Sequence, residues 1–251
     1  MSQTKNVTKD RTGIVNITVV YDNNPMPQNL KTDWGFACVI EIEKNKILFD
    51  TGDNGEMLLE NMEKLDIDPQ SINTVFLSHF HHDHTGGLKD FLKENSKVKV
   101  FYPQSFPQEI VDVIKNSGAE LIPVFDFMEI LPDVYSLGEI QGSIPEQSLA
   151  LRSSEGIIAI TGCAHPGIIN ILEKAKNHFP KEPIYLALGG FHLHRLNEDG
   201  INDVIQKMSE MEIENIAPTH CSGNAARIMF NEVFKANYID IGAGKVITVG
   251  D

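Results

Sequence analysis

Ser78-His79-Phe80-His81-His82-Asp83-His84 is the stretch on which the fold turns. Four histidines and one aspartate fall between positions 79 and 84, in a chain of 251 residues with 9 histidines in all. The run follows Thr74 to Leu77, a short apolar segment that reads as a buried strand. It precedes Thr85-Gly86-Gly87-Leu88. A tag-like surface run would lack that apolar flank. Loops at strand ends are where rigid scaffolds place functional groups. Imidazole nitrogen and carboxylate oxygen together suit zinc, iron, manganese or cobalt.

Working outward, three further apolar segments each end in a histidine. Ile157 to Ile160 leads into Thr161-Gly162-Cys163-Ala164-His165-Pro166-Gly167. Ile184 to Leu188 leads into Gly189-Gly190-Phe191-His192, and Asn215 to Ala217 into Pro218-Thr219-His220-Cys221-Ser222-Gly223. A lone histidine at such a junction is more often structural than a ligand. Four strand ends that all deliver one point instead to a shared metal centre. Asp50 closes a fifth segment, Ile47-Leu48-Phe49-Asp50-Thr51-Gly52. Cys163 and Cys221 neighbour two of these histidines. Packing is the expected role for both, with thiolate ligation the alternative. For Cys221 the direction is wrong, because neighbours in an extended segment point opposite ways.

The rest of the chain alternates strand and helix signals. Strands are predicted at 14–21, 36–42, 46–49, 98–102, 120–124, 134–137, 147–153, 156–161, 238–240 and 245–249. Helices are predicted at 54–65, 88–94, 109–117, 167–178 and 199–211. No repeat, low-complexity tract or linker interrupts them, so one unit spanning 1–251 is expected. Hydrophobic residues make up 41% and charged residues 22%, which is ordinary globular usage. The net charge of −14 disfavours nucleic acid as a partner, and a small-molecule substrate is the expected partner. Three cysteines form no disulfide framework. Met1 to Thr12 lacks the apolar core of a secretory signal, and no apolar run approaches the ~20 residues that span a bilayer. A cytoplasmic protein without membrane contact is the expectation.

The constellation resembles the metallo-β-lactamase superfamily, whose His-x-His-x-Asp-His motif is matched at His79, His81, Asp83 and His84. The resemblance implies an α+β fold: an αβ/βα sandwich of two packed mixed sheets with helices outside. It implies two divalent metal ions, zinc first, with manganese or iron as alternatives. His79, His81 and His165 would hold one, and Asp83, His84 and His220 the other. His82 fills a variable position. Asp50 matches an early aspartate that orients a ligand imidazole. The family usually adds a bridging aspartate between its third and last histidines. Here Leu188-Gly189-Gly190-Phe191-His192-Leu193-His194 contains none. His192 is therefore a replacement ligand, a substrate contact or a structural residue, and His194 is a weaker candidate for substrate contact.

Two metals sharing a water lower its pKa, so the first functional expectation is a hydrolase acting on a small phosphorylated or ester-type metabolite, with Asp83 also orienting the nucleophile. The later motifs are more similar to the dihydropterin–ribofuranosylaminobenzene phosphate synthase-like subgroup. That similarity implies an alternative, a transferase joining a dihydropterin pyrophosphate to an aryl amine. A non-catalytic sensor of metal or ligand is a third. Within 101–145, Phe106 and Phe127 are expected either to wall the substrate pocket or to pack in the core.

Overall fold

The computed structural model describes residues 13–28 and 30–250, so the reading of Met1 to Thr12 falls outside the described residues. Six strands build most of a first sheet: β1 (Val15–Asp22), β2 (Phe36–Ile42), β3 (Asn45–Phe49), β4 (Thr74–Phe76), β5 (Lys99–Pro103) and β6 (Glu120–Val124). Six more build the second: β7 (Met128–Leu131), β8 (Val134–Ser136), β9 (Leu149–Arg152), β10 (Ile157–Thr161), β11 (Ile184–Gly190) and β12 (Asn215–Thr219). The last strand, β13 (Val246–Val249), returns to the first sheet beside β1. The orders are β13-β1-β2-β3-β4-β5-β6 and β12-β11-β10-β9-β8-β7. Both sheets are mixed, with parallel pairs β3/β4, β4/β5 and β5/β6 in one and β10/β11 and β11/β12 in the other.

The side-chain period of two assigns each strand's apolar residues to two layers. Val15, Ile17 and Val19 of β1, with Ile40 of β2 and Phe49 of β3, face Leu149, Leu151, Ile158, Ile160, Leu186 and Leu188 across the gap between the sheets. The alternate residues, such as Val39, Leu48 and Val75, meet α1 (Gly55–Lys64) and α3 (Leu88–Glu94) on one outer face. Between these two helices lies the short α2 (His82–Thr85), and α4 (Gln108–Ser117) completes that layer. Ala159, Ala187 and Ile216 meet α5 (Ile168–His178), α6 (Glu198–Glu210) and α7 (Asn224–Phe234) on the other face. The result is helix, sheet, sheet, helix, as expected for the α+β sandwich.

Several elements differ from the sequence reading. The β2–β3 turn sits at Glu43-Lys44, with Glu43 at φ 52°, so that β3 begins at Asn45 rather than at Lys46. Tyr238–Asp240 forms one isolated bridge to Ile216 instead of a strand. Helix α7 was not predicted. It buries only the stripe of Ala226 and Phe230, while Ile228 and Val233 point outward, which blurs the helical period. Phe106 lies in the outer core beside Tyr102. Phe127 stacks on His178, with ring centroids 3.8 Å apart, at the C-terminal end of α5. The N-terminal end of α5 adjoins His165, roughly 16 Å away at 1.5 Å per residue. Both phenylalanines therefore pack against the cores, and Phe127 lies away from His165.

Because β1 and β3 run the same way, and β3/β4 and β10/β11/β12 are parallel, their C-terminal ends gather on one edge of the sandwich. That edge receives Asp22 to Asn24, Asp50, Ser78 to His84, Gly162 to His165, Phe191 to His194 and His220. Among the described residues no helix is long and apolar enough to cross a membrane.

Candidate metal centre

Three imidazoles are oriented by a hydrogen bond at Nδ1. Ser78 Oγ donates to Asp50 Oδ2 at 2.7 Å and lies 2.9 Å from His79 Nδ1. His84 Nδ1 lies 2.7 Å from the same Asp50 oxygen, and His220 Nδ1 lies 2.9 Å from Asn23 Oδ1. Asn23 Nδ2 donates to the His220 carbonyl, which assigns the oxygen of that amide to the ring. Each Nδ1 therefore carries the proton, and each Nε2 presents a bare lone pair. His84 Nε2 and His220 Nε2 face each other at 3.3 Å. His79 Nε2 is buried with no partner among the described residues. Asp83 Oδ2 stands 3.2 Å from His220 Nε2 and 3.7 Å from His84 Nε2. His81 presents Nδ1, 3.2 Å from His165 Nε2, and the His79, His81 and His165 rings have centroids 4.8 Å apart.

Facing lone pairs beside a carboxylate repel one another and invite a cation. The donor set, imidazoles plus one carboxylate, suits a divalent metal of the zinc type. The residues fit the metals that the sequence resemblance implies: the two expected trios each converge on a common space. Electrostatics agree. Burial, then the neighbouring histidines, pushes His79 well below the usual imidazole range. Burial and His192 lower His165 to about 3, and burial lowers His220 to about 4. Burial would raise Asp83, but contact with the His220 ring, and the charges that His84 and His220 carry when protonated, outweigh it and hold the carboxyl well below its usual range. Burial likewise lowers His84, yet the Asp50 carboxylate overcomes it and the net shift is upward.

The loop after β10 depends on a residue that the sequence reading missed. Buried Glu146 accepts at Oε1 from Thr161 Oγ1 (2.9 Å) and from the backbone N–H groups of Gly162, Cys163 and Ala164 (3.1, 3.0 and 3.0 Å). Its Oε2 accepts from His165 N at 2.8 Å. The next residue, Gln147, donates from Nε2 to Leu77 O at 2.8 Å, and its backbone N–H donates to Ser78 O at 2.9 Å. One segment thus ties both donor loops together. No local motif marks Glu146, because its partners are mainly main-chain groups.

Non-glycine left-handed backbone recurs at this edge: Asp50 (φ 54°), Ala164 (59°), His192 (54°) and His220 (48°). Such conformations cost free energy and persist where surrounding contacts hold them. His220 to Ser222 forms a 3₁₀ turn rather than an extended segment. The argument from alternating direction therefore does not apply to Cys221. Its Sγ donates to Cys163 O at 3.6 Å. Cys163 Sγ lies 3.2 Å from His84 Nε2, nearer the centre than packing alone suggested.

His82 turns to solvent, its side chain 76% exposed, and pairs with Asp53 at 2.7 Å. His192 faces the centre, its ring 4.4 Å from that of His165, with Nδ1 buried and without a partner among the described residues. His194 is committed otherwise: Nδ1 lies 3.0 Å from Cys221 O, and Nε2 accepts from Arg195 Nε. Trp34, which the sequence reading also passed over, stands 47% exposed with its ring 4.7 Å from that of His220. A recess of about 250 Å³ opens beside His165 and His192, walled by Ile168, Ile169, Asn170, Leu193 and Leu196. A larger concavity between α3 and α4, about 470 Å³ and lined by Lys89, Leu92 and Val113, holds none of these donors.

Residues 35–142 match the sequence family described as the metallo-beta-lactamase superfamily, a stretch that includes Asp50 and His79 to His84. A Methanocaldococcus jannaschii protein named 7,8-dihydropterin-6-methyl-4-(beta-D-ribofuranosyl)-aminobenzene-5'-phosphate synthase is 30% identical over 261 residues, covering 85% of this chain and 89% of its own. The chain belongs to the metallo-β-lactamase superfamily. A solved structure described as a metal-dependent hydrolase of the β-lactamase superfamily is 28% identical, with a TM-score of 0.79, over 94% of this chain and 100% of that one. The metallo-β-lactamase fold protein YhfI from Bacillus subtilis shares the fold alone, at 13% identity and a TM-score of 0.70 over 95% of this chain and 100% of its own. The superfamily is one of enzymes that generally bind divalent metals, and His165 and His220 lie beyond the matched family stretch, placed by β10 and β12.

Proposed function

We propose that this protein is a metal-dependent transferase that joins the methyl carbon of a dihydropterin-type pyrophosphate to an aryl amine. The observation that carries the metal dependence is the pair of bare Nε2 lone pairs on His84 and His220, 3.3 Å apart beside the Asp83 carboxylate. His79, His81 and His165 would hold one metal, and Asp83, His84 and His220 the other. When bound, such ions supply Lewis-acid polarisation and neutralise the charge of a leaving phosphate. The 30% identity to the synthase, over most of both chains, supports the substrate class.

In that reaction the amine nitrogen attacks the methyl carbon. The carbon–oxygen bond to pyrophosphate breaks, pyrophosphate departs with the electron pair, and the amine gives up a proton. The chain's own residues position the reactants. Asp50, Ser78 and Asn23 lock the imidazole rings. Glu146 fixes the loop that carries His165. Trp34 offers an exposed aromatic face at the rim, suited to a flat heterocycle or aryl ring. The apolar recess beside His165 and His192 adds a wall that excludes water from the reacting carbon. A chain of net charge −14 suits a small-molecule partner better than nucleic acid.

Hydrolysis is the second reading, favoured by the 28% identical structure described as a hydrolase; water then takes the place of the amine. The deciding experiment supplies metal-loaded protein with a dihydropterin methyl pyrophosphate, with and without an aryl amine. Pyrophosphate release and a coupled product only when amine is present is the expected result. Release at the same rate without amine makes the protein a hydrolase. Tight binding without turnover under zinc, manganese or iron makes it a sensor.

A further inference from the structure

The missing carboxylate between Leu188 and His194 leaves the second metal position, as resemblance defines it, with three donors. The structure brings a fourth. Cys163 Sγ lies 3.2 Å from His84 Nε2, which is itself 3.3 Å from His220 Nε2 and 3.7 Å from Asp83 Oδ2. Asp83 Oδ2 is 3.2 Å from His220 Nε2. One donor atom from each of these four residues can be chosen so that all lie within 4.8 Å of one another. Tetrahedral ligands at about 2.0–2.3 Å from a metal are separated from one another by about 3.3–3.7 Å, and the separations along Cys163–His84–His220–Asp83, 3.2–3.7 Å, lie close to that range.

The same Cys163 also groups with His79 and His165, their donor atoms again within 4.8 Å of one another. The sulfur therefore stands between the two trios. Its main chain is fixed by the Cys163 N–H to Glu146 Oε1 bond at 3.0 Å. Fully buried His79 Nε2, with no partner among the described residues, opens onto the same space. Of the other cysteines, Cys221 also stands at this edge, its sulfur grouping with Cys163 and His192 within 4.8 Å, which makes it the control in the test below. Cys221 donates its S–H to Cys163 O, and Cys38 lies in the core between the sheets.

We propose that Cys163 is a metal ligand, joining Asp83, His84 and His220 as a further protein donor and standing between the two metal positions where the family's usual bridging aspartate is absent. The inference rests on the metal-dependent reading above. Binding releases the thiol proton to solvent, and the sulfur donates as thiolate. A thiolate corner biases the centre toward softer ions such as zinc over manganese or magnesium.

The test loads metal-free protein with Co(II), counts bound metal by mass spectrometry and records the near-ultraviolet spectrum. The expected result is a sulfur-to-cobalt charge-transfer band in the native protein, absent in Cys163→Ser and retained in Cys221→Ala. Cys163→Ser should also weaken the second metal by at least about 100-fold, beyond the roughly 10–100-fold typical of residues that only orient ligands. Cobalt bound without such a band, or a band that survives in Cys163→Ser and disappears in Cys221→Ala, overturns the proposal while leaving the metal-dependent reading intact. Protein that takes up no cobalt, zinc or manganese overturns both. Should Cys163→Ser not fold, X-ray absorption of the zinc-loaded Cys221→Ala protein decides. A sulfur scatterer at about 2.3 Å supports ligation, and a shell of nitrogen and oxygen alone at about 2.0 Å overturns it.

Discussion

The loop after β4 and the loop after β10 each hang their donors on one buried carboxylate, but the two carboxylates hold different things. Asp50 grips mainly side chains, the His84 ring directly and the His79 ring through Ser78 Oγ, and accepts one main-chain bond, from Ser78 N–H at 2.7 Å. Glu146 grips main chain, accepting from four consecutive N–H groups, Gly162 to His165, and from the Thr161 hydroxyl. The first arrangement tunes the donors and the second shapes the path that delivers them. Loss of Asp50 should therefore be felt mainly by the metal, and loss of Glu146 mainly by the fold.

The sharpest way to break that contrast is Glu146→Ala. It strands buried N–H groups with no other acceptor and should cost about 3–5 kcal/mol in urea unfolding. Glu146→Gln keeps an acceptor oxygen and should cost less. A loss under about 1 kcal/mol for the alanine variant would mean that the loop holds its own shape. Next in size is a pH effect. His220, with a folded pKa of about 4, binds its proton more weakly than the ~6.5 of an unfolded histidine. The stability that this contributes is fully present above pH 6.5 and is lost as pH falls through about 4. For metal-free protein that is about 3 kcal/mol from His220 alone. His165 and His79 act in the same direction, whereas His84, raised by Asp50, does not. Urea midpoints of chelator-treated protein between pH 7 and pH 4 measure it; a flat profile would show that these rings are not held neutral.

Asp50→Asn comes third. It should weaken metal binding by about 10–100-fold in a chelator competition, with a smaller effect on metal-free unfolding than Glu146→Ala. The reverse order of effects would undo the division of labour. Trp34→Ala should raise KM several-fold, a loss of about 1 kcal/mol of aromatic contact, with kcat held. A fall in kcat alone would remove Trp34 from substrate contact. His82→Ala should be nearly silent, within about 0.5 kcal/mol in stability and unchanged in metal content, since its ring faces solvent.

The contrast also explains what could be read in advance. His79 to His84 is a local signal, because a strand end and a four-residue helix suffice to aim its side chains. Asp50 was legible because it closes an apolar segment in a matched motif. Glu146 was not: its partners lie 15 to 19 positions away, and four of the five are main-chain groups that any residue type would supply. Asn23 escaped for a similar reason, since its contact to His220 spans 197 positions. Cys221 was judged by the alternation of an extended strand, which the turn at His220 to Ser222 breaks, and Cys163 by the packing expected of a buried thiol, beside which left-handed Ala164 bends the chain.

By itself the sequence determined the alternating strands, the helices with a continuous apolar face, and a histidine at each of four strand ends. These follow from residue type and local periodicity, which need no distant partner. Tertiary structure alone decided which of those histidines meet, which nitrogen each one presents, and that Cys163 stands between them. Those outcomes depend on how buried polar groups find partners across 80 to 200 positions of chain. Closure of the two sheets, rather than any local preference, brings such partners to 2.9–3.2 Å.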